Sequence, residues 1–179
     1  NRSLADLMLE YLKATVSKAS SVRDAYSADR LLEFFGKDCD VLAIRPSDIS
    51  RYQKHRLKGV LASTCNKEIG LLSVAINYAN SEWDWGLSNP CQGKRLSEPS
   101  GKTVFLTREK AAKLISAVDQ KAPHLVDLID LAVQTGCRRK ELLELEWDRI
   151  DWKKNEIILE ARHTKSAKPR KVPMNPSAR

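Results

Sequence analysis

Leu4, Leu7, Met8, Tyr11, Leu12 and Val16 recur at three- and four-residue intervals, and Ala25, Ala28, Leu31, Leu32 and Phe35 repeat that period. Such spacing gathers the apolar side chains on one face of an α-helix, whereas a half-buried strand would need strict alternation. Two amphipathic helices are predicted, over residues 4–16 and 24–35, and neither can bury its stripe alone. Gly36 stops the second. Arg45-Pro46-Ser47-Asp48 punctuates the chain and caps a third helix running to about Lys58, and Ser63 or Thr64 opens a longer fourth. That helix carries Ile69, Leu72, Ile76 and Ala79 on one face and ends near Asn80 to Glu82, before the turn-forming Gly86-Leu87-Ser88-Asn89-Pro90. The pattern dictates a helical bundle.

The period fails between Leu96 and Lys102, where Ser-Glu-Pro-Ser-Gly-Lys is polar and twice interrupted. A domain boundary is expected there, with a first domain over 1–96, a linker over 97–103 and a second domain over 104–179. Leu106-Thr107 caps a helix to about Asp119. A helix from Pro123 to Gln134 turns Leu125, Leu128, Ile129 and Ala132 inward, Thr135-Gly136 breaks it, and a short helix follows from Arg138 to Leu145. After Asp148 to Asp151 the pattern becomes extended. Ile157, Ile158 and Leu159 read as a strand, paired with a second around Arg170 to Met174 across a loop containing Lys165.

Charge narrows the partner. The 179 residues hold 31 Lys+Arg against 23 Asp+Glu, a net +8. Both halves are basic, by +3 up to Leu96 and +5 beyond it, which suggests an anionic partner, nucleic acid first. The longest apolar run, Val41 to Ile44, is far short of a membrane span, and the N-terminal residues carry no export signal, so a cytoplasmic protein is expected. Cys39, Cys65, Cys91 and Cys137 lack the short Cys or His spacings of zinc sites and read as reduced thiols. No metal and no cofactor is expected.

The most informative segment is Thr135-Gly136-Cys137-Arg138-Arg139-Lys140-Glu141-Leu142, continuing through Leu145-Glu146-Trp147 to Ile150-Asp151. It resembles the first conserved box of the tyrosine recombinases, the phage integrase family: Thr-Gly-x-Arg-x-x-Glu-Leu, then Leu-x-Trp, then Ile-Asp. The likeness continues where that family has a β-hairpin, in His163-Thr164-Lys165 followed by Arg170-Lys171-Val172-Pro173. Upstream, Ser63-Thr64-Cys65-Asn66-Lys67-Glu68 leading to Asn89-Pro90 is similar to the family's core-binding domain. The resemblance implies a mainly α chain: an N-terminal SAM-like core-binding bundle of four to five helices, then the start of an α+β catalytic domain with a small antiparallel β-hairpin.

These residue types suit phosphodiester chemistry. An arginine fork binds two phosphate oxygens at once and keeps its charge at every working pH, so it can stabilise a pentacoordinate transition state. By resemblance Arg138 has that role. Gly136 permits a backbone bend that aims the start of the next helix, with its N–H groups, at phosphate. Glu141 shares a helical face with Arg138 and, by resemblance, buttresses it. Lys165 matches the family's general acid, which protonates the leaving 5′ oxygen. The plainer readings are a surface ion pair for Arg138 and Glu141, and a DNA-facing charge for Lys165 among Arg162, Lys168, Arg170 and Lys171, a group with no acid in sequence.

Arg51, Lys54, His55, Arg56 and Lys58 form a basic run without an acid between Ile49 and Lys67. It reads either as a solvated helix face or as a set of phosphate contacts. The DNA-binding candidates are Arg51, Lys54, Arg56 and Lys58, with Ser63, Thr64, Asn66 and Lys67 adding small donors at the next helix start. Arg139, His163 and Arg170 complete the set around the second-domain motif. Tyr52 and Tyr78 read as packing residues rather than nucleophiles, and Trp83, Trp85 and Trp147 as core or domain-edge packing.

The family's second box and its tyrosine nucleophile have no match. Tyr11, Tyr26, Tyr52 and Tyr78 all precede the linker. The 179 residues are therefore expected to be a fragment that binds duplex DNA without cutting it and exposes an apolar face. The resemblance implies a parent that cleaves and rejoins DNA through a 3′-phosphotyrosine, as a homotetramer on two duplexes. The alternative readings are a non-catalytic architectural or regulatory DNA-binding protein and a helical protein-interaction module.

Overall fold

The computed structural model describes residues 2–101, 104–118, 122–164 and 168–179. The chain divides into two compact units, Asn1–Gly101 and Lys102–Arg179.

Four α-helices make the first unit: α1 (Leu4–Ala14), α2 (Ser21–Phe35), α3 (Pro46–Arg56) and α4 (Ala62–Glu82). Ser3 caps α1, its Oγ accepting the Asp6 N–H at 3.1 Å, and α1 buries Leu4, Leu7, Met8 and Tyr11. Val16, expected on this stripe, is exposed. The helix stops two residues earlier, where the Thr15 hydroxyl donates back to Tyr11 O at 2.8 Å. Gly36 ends α2 as predicted, at a φ of +90°. Asp48 accepts the Arg45 N–H at 2.9 Å and so opens α3. The long α4 begins at Ala62, just ahead of the predicted Ser63 or Thr64, and packs against α1, α2 and α3. Ile69, Leu72, Ile76 and Ala79 are buried as the periodicity requires.

Polar groups lie inside this bundle as well. Glu68 of α4 is buried, and the Tyr52 hydroxyl donates to its Oε2 at 2.7 Å. Arg56 reaches the same carboxylate through Nε (2.8 Å) and Nη2 (2.5 Å). Burial alone would raise the Glu68 pKa, but the Arg56 and Tyr52 hydrogen bonds outweigh it and hold it below the ordinary carboxylate value.

The second unit has α5 (Arg108–Ser116), α6 (His124–Thr135), α7 (Arg139–Leu143) and strands β1 (Ile150–Asp151), β2 (Glu156–Leu159) and β3 (Arg170–Pro173). The predicted hairpin is β2 and β3, with Leu159 opposite Arg170 and Glu156 opposite Pro173. β1 adds a third antiparallel strand, Ile150 opposite Ile157, so the sheet runs β1-β2-β3. Ile157, Leu159, Val172 and Met174 share one buried face with Cys137 and Leu142.

One packing expectation fails here. Leu125 of α6 is exposed, and the face that packs on this core is Leu128, Leu131 and Ala132. Trp147 is 78% exposed and stacks on Trp152 with ring centroids 6.3 Å apart. Both indoles border an apolar cavity of about 310 Å³ lined also by Leu131, Leu142, Leu145 and Met174. All four cysteines are free thiols.

Candidate functional site

Gly136 closes α6 in the left-handed conformation, φ +63°. A side chain there would cost about 1–2 kcal/mol, so the expected need for glycine is conformational. The reversal leaves Cys137 buried, its N–H donating to Thr135 Oγ1 at 3.3 Å, and sets Arg138 as the N-cap of α7.

The Arg138 N–H does not face outward. It donates to Glu141 Oε2 at 2.7 Å, half of a capping box. The expected presentation of helix-start N–H groups to phosphate is thereby corrected at Arg138. Moreover, α7 spans five residues rather than reaching Leu145.

Glu141 is the hub of the site. Its side chain is 1% exposed. Oε1 accepts Arg138 Nη1 at 3.0 Å and Arg170 Nη1 at 3.0 Å, while Oε2 accepts the Arg138 N–H and Arg170 Nη2, each at 2.7 Å. A carboxylate offers about four acceptor directions, and four donors fill them. The Arg170 hydrogen bonds are the largest influence on its acidity; they overcome burial and, with Arg138, hold the Glu141 carboxyl at about 2. The plain surface-pair reading of Arg138 and Glu141 does not describe a buried, four-donor carboxylate.

Arg138 itself stays accessible, its side chain 54% exposed with a single N–H group engaged on Glu141. Arg139 is exposed beside it. Arg170, expected to contact DNA, is instead laid against Glu141 as a bidentate partner, because a buried carboxylate must be matched by donors. Its neighbours in the basic run also find acids from outside that run: Arg162 pairs with Glu160 at 2.8 Å and Lys171 with Glu156 at 3.3 Å.

Thr164, missed as a structural residue, pins the β2–β3 connection. Its buried hydroxyl accepts the Lys168 N–H at 3.1 Å and lies 2.8 Å from Lys168 O. Lys165 and the side chain of His163 fall outside the described residues.

In the first unit, α3 and the turn after it present Arg51, Lys54, His55 and Lys58 to solvent at helical spacing. Arg51 pairs with Asp48 at 2.6 Å, whereas Lys54, Lys58 and Lys67 are exposed and outside the ion pairs of the described residues. Two candidates are drawn inward. Arg56 is spent on Glu68. Asn66 holds the chain beyond the bundle, its side chain accepting the Leu96 N–H at 2.8 Å and donating to Leu96 O at 2.9 Å and Glu98 Oε1 at 2.8 Å. The missed signal was Leu96 itself, an apolar residue ahead of a polar stretch, which packs against the bundle core. Ser63 and Thr64 sit half-buried in the first turn of α4.

Residues 104–179 match the model of the Phage integrase family. A shufflon-specific DNA recombinase of Escherichia coli is 27% identical over 187 aligned positions, which take in 99% of this chain and 48% of that protein. A tyrosine recombinase XerC-like protein of Caldanaerobacter subterraneus subsp. tengcongensis is 30% identical over 133 positions, 70% of this chain and 33% of its own length. The chain thus spans about half or less of the curated relatives it matches. Among solved structures, a lambda integrase tetramer bound to a Holliday junction has a TM-score of 0.82 at 19% identity, covering 97% of this chain and 51% of that one. The Tn1549 transposon integrase in complex with circular intermediate DNA has a TM-score of 0.72 at 18% identity, covering 99% and 62%.

Proposed function

Because its residues 104–179 make the chain a member of the phage integrase family of tyrosine recombinases, we propose that it engages duplex DNA in site-specific recombination. In this reading the second unit holds the phosphate to be cut and the first unit grips the duplex beside it. The observation that carries it is Arg138: an exposed guanidinium braced by a buried carboxylate that is itself fully occupied.

Arg138 would bind the non-bridging oxygens of the scissile phosphate and stabilise the charge that grows there during attack. Lys165 would donate the proton to the leaving 5′ oxygen. Residues 102–179 contain no tyrosine, so the 3′-phosphotyrosine step is a property of the whole recombinase and this chain alone binds DNA without cutting it. Lys54, Lys58 and Lys67 supply phosphate contacts from the first unit, which is a core-binding domain in this reading. The full-length protein would act in the cytoplasm as a tetramer on two duplexes, an assembly with a parallel in the lambda integrase tetramer on a Holliday junction.

The test is Arg138→Ala in the whole recombinase. Single-turnover cleavage should fall by about 10³-fold while duplex affinity changes little; equal losses in the two would reduce Arg138 to a simple anchor and overturn its assignment.

A further inference from the structure

Charge around Glu141 does not balance in pairs. One carboxylate faces two guanidiniums, and of the two Arg170 is the more deeply engaged, giving two nitrogens at 2.7 and 3.0 Å against the single Nη1 of Arg138 at 3.0 Å. The Arg170 side chain is 34% exposed and that of Arg138 54%. A guanidinium has five N–H donors, and among the described residues only one of those of Arg138 is engaged, which leaves four for a ligand.

We propose that Arg170 is a positioning residue for Arg138: by saturating and neutralising Glu141, it leaves the Arg138 charge and its outer N–H groups free for a phosphate. The proposal rests on the reading of Arg138 as a phosphate-binding residue. It also gives the β2–β3 hairpin a purpose beyond carrying Lys165. Arg170 stands opposite Leu159 in the sheet, whose side chain is fully buried, so the strand that supplies Arg170 is fixed by the core and Glu141 is approached from a rigid element. Without Arg170, the Glu141 carboxylate would turn its full charge on Arg138 and compete with any anion.

This predicts an unusual rescue. In the 179-residue chain, the Nε–H resonance of Arg138 is followed by NMR during titration with inorganic phosphate at constant ionic strength. Arg170→Gln should weaken phosphate binding at Arg138 by about tenfold, the scale of one set of charge-assisted hydrogen bonds. The double change Glu141→Gln with Arg170→Gln restores the original net charge and should return the affinity to within about twofold, although the clamp is gone. Arg170→Lys, which keeps the charge and loses the fork, should fall between wild type and Arg170→Gln, and it stands in should the glutamine variant fail to fold.

The outcomes separate cleanly. If the Arg138 resonance moves in the wild type and moves equally well in Arg170→Gln and Arg170→Lys, the proposal for Arg170 is overturned and the phosphate role of Arg138 survives. If the double variant binds as weakly as the single one, Arg170 is itself a phosphate ligand, and the proposal again fails. If the wild-type Arg138 resonance does not respond at all, the underlying reading fails and takes the proposal with it.

Discussion

Glu141 and Arg170, 29 positions apart in sequence, meet through two hydrogen bonds of 3.0 and 2.7 Å, tying α7 to β3, an edge strand of the sheet. The Glu141 carboxyl is held at about 2 against an ordinary value of 4.5. A depressed carboxyl contributes stability that is fully present above its unfolded value and is lost as pH falls through the folded one. Glu141→Gln should therefore flatten the fall in stability between pH 4.5 and pH 2. Urea midpoints at half-unit pH steps, wild type against variant, check this; parallel curves would show that Glu141 does not titrate with unfolding.

Basic residues of the first unit should divide into two kinds. Arg56→Ala leaves the buried Glu68 carboxylate with Tyr52 alone, and should cost about 3 kcal/mol of stability. Lys54→Ala and Lys58→Ala should leave the urea midpoint unchanged. Each should instead lower the slope of log affinity for duplex DNA against log salt by about 0.9. A set of salt titrations beside urea melts separates the two.

Gly136→Ala forces a Cβ into a left-handed position, φ +63°. The variant should lose about 1–2 kcal/mol. Because no atom of the described residues beyond its chain neighbours lies within 4 Å of the added Cβ, the loss is conformational, and Gly136→Asn, which tolerates this region better, should recover part of it in thermal melts.

Asn66→Ala removes the side chain that brackets Leu96. Hydrogen exchange at the Leu96 amide should accelerate at least tenfold, the equivalent of about 1.4 kcal/mol of local opening, with the amides of α1 barely affected. Unchanged protection would mean that packing of Leu96, rather than Asn66, holds this stretch.

Much of the architecture was legible because local signals agreed with tertiary need. Ile69, Leu72, Ile76 and Ala79 fall on one helical stripe and are buried as one stripe; Gly36 and Gly136 stop helices where they break the pattern. β1 was not legible, since a two-residue strand has no periodicity to detect, and its pairing partner Ile157 settles it from a distance. The candidate site was legible at Arg138 and Glu141, which lie three residues apart. Arg170 was assigned outward because sequence shows its basic neighbours but not the carboxylate brought to it by the fold. Arg56 and Asn66, expected to contact DNA, turn inward for the same reason: Glu68 and Leu96, 12 and 30 positions on, are invisible to spacing along one helix.

One of the two edge strands of the small sheet carries a last implication. β3 is four residues long, places Lys171 in solvent and ends on Pro173, which has no N–H to offer a neighbouring chain. Short length, a lysine and a proline make its rim a poor template for strand addition. Should copies of this chain associate, the β3 rim is a poor place for backbone pairing, and exposed side chains such as Trp147 and Trp152 are left to meet the newcomer.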